Sequence, residues 1–129
     1  MDKFLKENSS YNRLYDEYMK YGSLVIGYDF DSTVHDFHKE GESYEDVRQL
    51  LRDLESIGCK TICWTAYEDL DYVEKFLTKN NIPFNGINSN GIPLPWESRK
   101  PFFSALLDDR AGLIQVYNDL TKLVNVIRN

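Results

Sequence analysis

The apolar positions of this chain change period along its length. Leu24-Val25-Ile26-Gly27-Tyr28 is an unbroken run of strand length, the pattern of a strand buried on both faces. It predicts a first strand over about 24–29. Lys60-Thr61-Ile62-Cys63-Trp64-Thr65 is a second such run, rich in β-branched and aromatic residues. Phe84 to Asn88 fits a short strand. Phe102 to Asp108, centred on Ser104-Ala105-Leu106-Leu107, fits a further one. Between these runs the period becomes helical. Val47, Leu50, Leu51, Leu54 and Ile57 recur at helical spacing, and Gly58 supplies a stop. Ser43-x-x-Asp46 stands where a capping box belongs, with Asp in place of the better-suited Glu or Gln. Leu70, Val73, Phe76 and Leu77 share one face of a helix ended by Asn80-Asn81 and Pro83. From Leu113, the residues Ile114, Val116, Tyr117, Leu120, Leu123, Val124 and Ile127 keep helical register. Residues 9 to 21 read as a polar helix capped by Ser9 or Ser10. Its Tyr11, Tyr15, Tyr18 and Tyr21 either pack on the sheet or offer a contact surface.

Strands that alternate with helices imply right-handed crossovers and a parallel sheet. The predicted fold is α/β, a small doubly wound parallel sheet sandwiched by helices, with 1–129 forming one domain. Two stretches carry no period. Val34 to Ser43 is polar and reads as an irregular flap. Gly91, Pro93 and Pro95 stiffen an irregular loop.

Composition narrows the class. The chain has 129 residues, 42% of them hydrophobic, which suits a single packed core rather than disorder. A net charge of −6 disfavours an extended nucleic-acid or anionic-membrane surface. No apolar stretch approaches the roughly 20 residues of a bilayer span. Met1 to Glu7 lacks the apolar core of a signal peptide. Cys59 and Cys63 fall in one predicted strand, which sets their Cα atoms about 13 Å apart, too far for a disulfide. Two buried thiols and no leader lead us to expect a cytoplasmic protein.

Candidate chemistry sits where the apolar runs stop. The first run ends in Asp29-Phe30-Asp31-Ser32-Thr33. Strand alternation puts i and i+2 on one side, so Asp29 and Asp31 can converge at a carboxyl end, where open α/β sheets keep their sites. Asp108-Asp109 ends the run through Leu107. Mg²⁺ takes oxygen ligands and needs only one or two carboxylates beside substrate phosphate oxygens. Asp29 and one of Asp108 and Asp109 can supply them. A carboxylate beside the metal can also attack phosphorus, while Asp31 can protonate the leaving oxygen and later activate water. The plain alternative is that strand-end acids cap the helices that follow. Thr65, ending the second run, can hold a phosphoryl oxygen with the following amides, although Thr is also a common strand residue. Lys100 can offset the acids, or be a solvated surface charge.

The ordered set Tyr28-Asp29-Phe30-Asp31-Ser32-Thr33, Trp64-Thr65-Ala66, Lys100 and Leu107-Asp108-Asp109-Arg110 resembles the haloacid dehalogenase (HAD) superfamily of phosphotransferases. It spans Leu24 to Arg110. The resemblance implies a Mg²⁺-dependent phosphomonoester hydrolase working through an aspartyl phosphate. Asp29 matches the nucleophile, which also binds Mg²⁺. Asp31 matches the acid/base, with its backbone carbonyl on the metal. Thr65 and Lys100 match the phosphoryl-binding residues, and Asp108 and Asp109 the acidic motif closing the metal site, with Asp109 favoured as the direct ligand. Ser32 replaces the commoner Gly after the second acid. The interval from Asp29 to Thr65 is 36 residues and from Thr65 to Lys100 is 35. Neither gap holds a cap domain, so the chain looks like a capless member, similar to small phage and bacterial HAD-like phosphatases.

Other residues read two ways. His35-Asp36-Phe37-His38 resembles a short metal motif, but solvent-exposed flap histidines are the expectation. Arg110 either clamps a substrate anion bidentately or pairs with a nearby acid. Trp96 either rims the site or anchors its own Pro-rich loop. Trp64 is expected to point into the core, opposite Thr65. Glu40, Glu42, Glu45 and Asp46 read as a solvated face. The rivals to the phosphatase reading are a non-catalytic HAD-like binding or regulatory module and a nucleic-acid end-processing phosphatase. The expected partner is a phosphate ester, small or carried on an end group, with no membrane association. The expected state is a monomer or weak homodimer with an open cleft bordered by the flap.

Overall fold

The structure is a computed structural model that describes residues 1–90, 93–96 and 102–129. After a short 3-10 turn at Lys3–Leu5, the order is α1 (Ser9–Tyr21), β1 (Val25–Tyr28), α2 (Glu45–Ser56), β2 (Lys60–Cys63), α3 (Leu70–Lys79), β3 (Gly86–Ile87), β4 (Ala105–Leu107) and α4 (Leu113–Arg128). The four strands form one sheet in the order β3-β2-β1-β4, and every pairing is parallel. The winding runs outward from β1 through β2 to β3. It then returns to the other side of β1 for β4. This is the expected α/β architecture, and no cap is inserted among the described residues. No helix of these residues is long and apolar enough to cross a membrane.

Register explains how the strands end together. Val25, Ile26, Gly27 and Tyr28 face Lys60, Thr61, Ile62 and Cys63, and Tyr28 also lies opposite Leu107. Ile26, Tyr28, Cys63 and Leu107 join Leu14, Leu51, Leu54, Val73, Leu77, Leu120 and Leu123 in the main core. Helix α4 packs against both α1 and α2. Arg48 and Arg52 of α2 reach the end of α3, where they bond the Asn80 side chain and the Asn80 and Asn81 carbonyls. At Gly27 a Cβ would come within 2.6 Å of the Phe103 ring. Glycine there lets Phe103 lie directly on the strand. Cys59 and Cys63 are both free and buried. Burial pushes the Cys63 thiol up to about 12 and the Cys59 thiol up to about 11.

Several local expectations change. Ser9 and Ser10 lie inside α1 rather than capping it. The cap is Asn8 at φ +64, without a side-chain bond. Ser10 instead donates to Asp119 Oδ2 at 2.6 Å. The α2 cap is Tyr44 at φ +56, so Ser43 and Asp46 form no capping box. Strand β2 stops at Cys63 and β4 at Leu107, which leaves Thr65 two residues beyond its strand. Trp64 does not enter the core. It is exposed and meets the edge of Phe103 with ring centroids 6.1 Å apart. Leu70 and Ile114, expected on apolar faces, are exposed at the first turns of their helices.

Candidate metal and phosphate site

The carboxyl ends of β1, β2 and β4 open into one cleft of about 1170 Å³. Asp29, Asp31, Ser32, Thr65, Asp108 and Asp109 all line it. The ladder carries one residue past β1, because the Asp29 N–H donates to the Leu107 carbonyl at 2.8 Å. Oxygen atoms of Asp29, Asp108 and Asp109 lie within 4.8 Å of one another. Asp108 also accepts the Arg110 backbone N–H at 2.9 Å, so it caps its own turn as well. Asp109 is free of that duty and is the more exposed of the two.

This crowding has an electrostatic result. Partial burial, then the charge of Asp108, then contact with Asp109 push the Asp29 carboxyl up to about 7, against the Phe30 N–H, which favours the carboxylate. Among the described residues, no basic side chain forms an ion pair with these three acids. Three hard oxygen donors, unpaired by any basic side chain among the described residues, fit a hard divalent cation such as Mg²⁺.

Asp31 reaches the cleft by a different route from the expected strand alternation. Strand β1 has already ended, and residues 30–35 close a tight turn. The Phe30 carbonyl accepts the N–H groups of Thr33, Val34 and His35, and Ser32 N–H donates to the His35 carbonyl. The turn requires φ +62 at Ser32. That conformation suits glycine better than serine. The Asp31 carboxylate stands outside the three-acid cluster. Its Oδ1 lies 2.8 Å from His35 Nδ1. His35 is therefore not a solvent-exposed flap residue, since its side chain is only 12% exposed. His38 and Phe37 are exposed and line the cleft.

Thr65 is held by Asn88, which no motif in the sequence singled out. Asn88 Oδ1 accepts the Thr65 N–H at 2.7 Å, and Asn88 Nδ2 donates to the Thr65 carbonyl at 2.8 Å. The Thr65 hydroxyl accepts the Tyr67 N–H at 3.0 Å, which leaves its proton to give. Ala66, Tyr67, Glu68, Asp69 and Arg110 complete this side. Arg110 is exposed. Trp96 is exposed. Lys100 lies outside the described residues.

No family model matches the chain. No curated protein matches it. Among solved structures, a conserved protein coded by a locus of Bacteroides thetaiotaomicron superimposes with a TM-score of 0.62 at 23% identity, over 82% of this chain and 90% of that one. A likeness of that order shows the shared α/β fold.

Proposed function

We propose that this protein is a Mg²⁺-dependent phosphomonoester hydrolase of the HAD type, with Asp29 as nucleophile. The observation that carries this reading is the meeting of Asp29, Asp108 and Asp109 in one cleft with Asp31 and Thr65. Asp29 and Asp109 would hold the cation, with Asp108 beside them. Bound there, Mg²⁺ supplies positive charge that keeps Asp29 ionised and offsets the charge of the phosphoryl oxygens.

The chain's own groups divide the work. The Asp29 carboxylate attacks phosphorus as the bond from phosphorus to the leaving oxygen breaks. Asp31 gives its proton to that oxygen. Water then attacks the aspartyl phosphate, Asp31 takes the water's proton, and Asp29 and inorganic phosphate separate. Thr65 donates its hydroxyl proton to a phosphoryl oxygen, with Asn88 fixing the peptide that carries it. Lys100 is expected to steady the same oxygens.

The test is a panel of phosphate esters, namely nucleotides, sugar phosphates and 3′- or 5′-phosphorylated oligonucleotides, each assayed with Mg²⁺ and with EDTA. Metal-dependent phosphate release that Asp29→Asn abolishes supports the reading. Metal-independent release rejects the metal-dependent mechanism, and release from no ester rejects the reading in favour of a binding module.

A further inference from the structure

His35 occupies a position that a mobile flap residue would not. Its ring lies over Phe30 with centroids 4.4 Å apart and planes 13° from parallel. Tyr67, Tyr72 and Phe76 meet it edge-on, at 5.9, 5.6 and 4.7 Å. Both ring nitrogens are engaged. Nδ1 faces Asp31 Oδ1 at 2.8 Å and Nε2 faces the Tyr72 hydroxyl at 3.0 Å. These atoms come from the turn after β1 and the start of α3, 37 residues apart.

The partners set the direction of the chain. An ionised carboxylate only accepts, so Nδ1 carries the hydrogen. In a neutral ring Nε2 then has a lone pair to which the Tyr72 O–H can donate. In that tautomer every hydrogen in the series points toward Asp31. The aromatic ring stack fixes the plane of the imidazole, and the imidazole fixes one oxygen of the carboxylate. Among the described residues Oδ2 has no hydrogen-bond partner, and it is the oxygen that would exchange a proton in the cleft.

We propose that His35 is a positioning residue that clamps Asp31 for proton transfer, and that Tyr72 holds His35 in the tautomer the clamp needs. This rests on the phosphatase reading for its catalytic consequence, but not for the clamp itself. When Asp29 attacks and the bond from phosphorus to the leaving oxygen breaks, that oxygen must receive the Asp31 proton. A swinging carboxylate would deliver it less often. Outer partners of this kind are typically worth about 10–100-fold in activity.

Two measurements test the proposal. The first is ¹⁵N NMR of the imidazoles in metal-free protein, at alkaline pH where the rings are neutral. His35 should show hydrogen on Nδ1, and Tyr72→Phe should shift its population toward hydrogen on Nε2. Hydrogen on Nε2 in the wild type overturns the clamp. The second compares His35→Phe, which keeps a flat ring, with His35→Asn, whose amide can still donate to Asp31. For an alkyl phosphate, whose leaving oxygen needs a proton, His35→Phe should lower kcat/KM by about 10–100-fold. The loss on p-nitrophenyl phosphate, whose leaving group departs unprotonated, should stay within about threefold. His35→Asn should recover part of the alkyl-phosphate rate. Equal losses on both esters would mean that His35 only supports the fold and would reject the positioning role. If the wild type hydrolyses no ester, the phosphatase reading fails, while the tautomer still decides the clamp.

Discussion

Asp29 is the residue at which chemistry and stability oppose each other. Its carboxyl is pushed up to about 7, above the ordinary value near 4 of the unfolded chain. The folded metal-free protein therefore binds a proton more tightly than the unfolded chain does. Stability from this group is complete below about pH 4 and declines as pH rises toward 7. Metal-free protein should melt at falling temperature across that window, and Asp29→Asn should flatten the trend while lowering turnover by several orders of magnitude. Added Mg²⁺ should raise the wild-type melting temperature more at pH 7.5 than at pH 5, because cation and proton compete for the same oxygens. An unchanged slope in Asp29→Asn would assign the pH dependence to another group. The neighbouring acids separate by a Mg²⁺ titration of activity. Asp109→Asn should weaken the metal, and Asp31→Asn should slow turnover at nearly unchanged metal affinity. A shift seen only in Asp108→Asn would move the ligand role to Asp108.

At the scale of elements, the sequence was most legible where period and burial coincide. The runs ending at Tyr28 and Leu107 read as strands because their residues are apolar almost without interruption, and both end in the acids that meet in the cleft. The helix from Glu45 was legible from its stripe and from Gly58, which sits at φ +91. The starts at Ser9, Leu70 and Leu113 were legible, but the caps before the first two helices were not, because Asn8 and Tyr44 adopt positive φ where a capping serine is the usual device. Thr65 was found, but not the Asn88 that holds it, and His35 was taken for a surface residue. Both depend on contacts between residues 23 to 37 positions apart, which no local period encodes. Gly27 shows the same limit from the other side. It reads as an ordinary member of an apolar run, yet Phe103 leaves no room for a Cβ. Gly27→Ala should cost about 1–3 kcal/mol in urea unfolding. Phe103→Ala should remove most of that increment in the double variant. Additive losses would show that the ring is not the obstacle.

For the whole molecule, the balance of charge matters more than any pair. The chain carries −6, and the described cleft lining holds six carboxylates, on Asp29, Asp31, Glu68, Asp69, Asp108 and Asp109. On the proposed reading, a phosphate ester would approach against that field until metal is bound. At saturating Mg²⁺, raising salt from about 10 to 150 mM shortens the screening length from about 30 to 8 Å. It should therefore raise kcat/KM for a dianionic ester, or leave it level. A steep fall would mean that cations dominate the approach, which a net-acidic protein does not lead one to expect.

The two buried thiols make the sheet its own stopwatch. Cys63 closes β2 opposite Tyr28, the residue before Asp29, and no part of it touches solvent. A disulfide reagent attacks only a thiolate it can reach, so Cys63 is silent until the strands beneath the cleft part. The rate at which it is modified counts those partings. An ion that draws Asp29, Asp108 and Asp109 together ties β1 to β4 and should lengthen the interval between them. Slower labelling of Cys63 in Mg²⁺, with Cys59→Ala as background and Asp109→Asn as control, would register occupancy of the cleft without any substrate. Labelling at one rate with and without Mg²⁺ would show that the strands open independently of the acids above them.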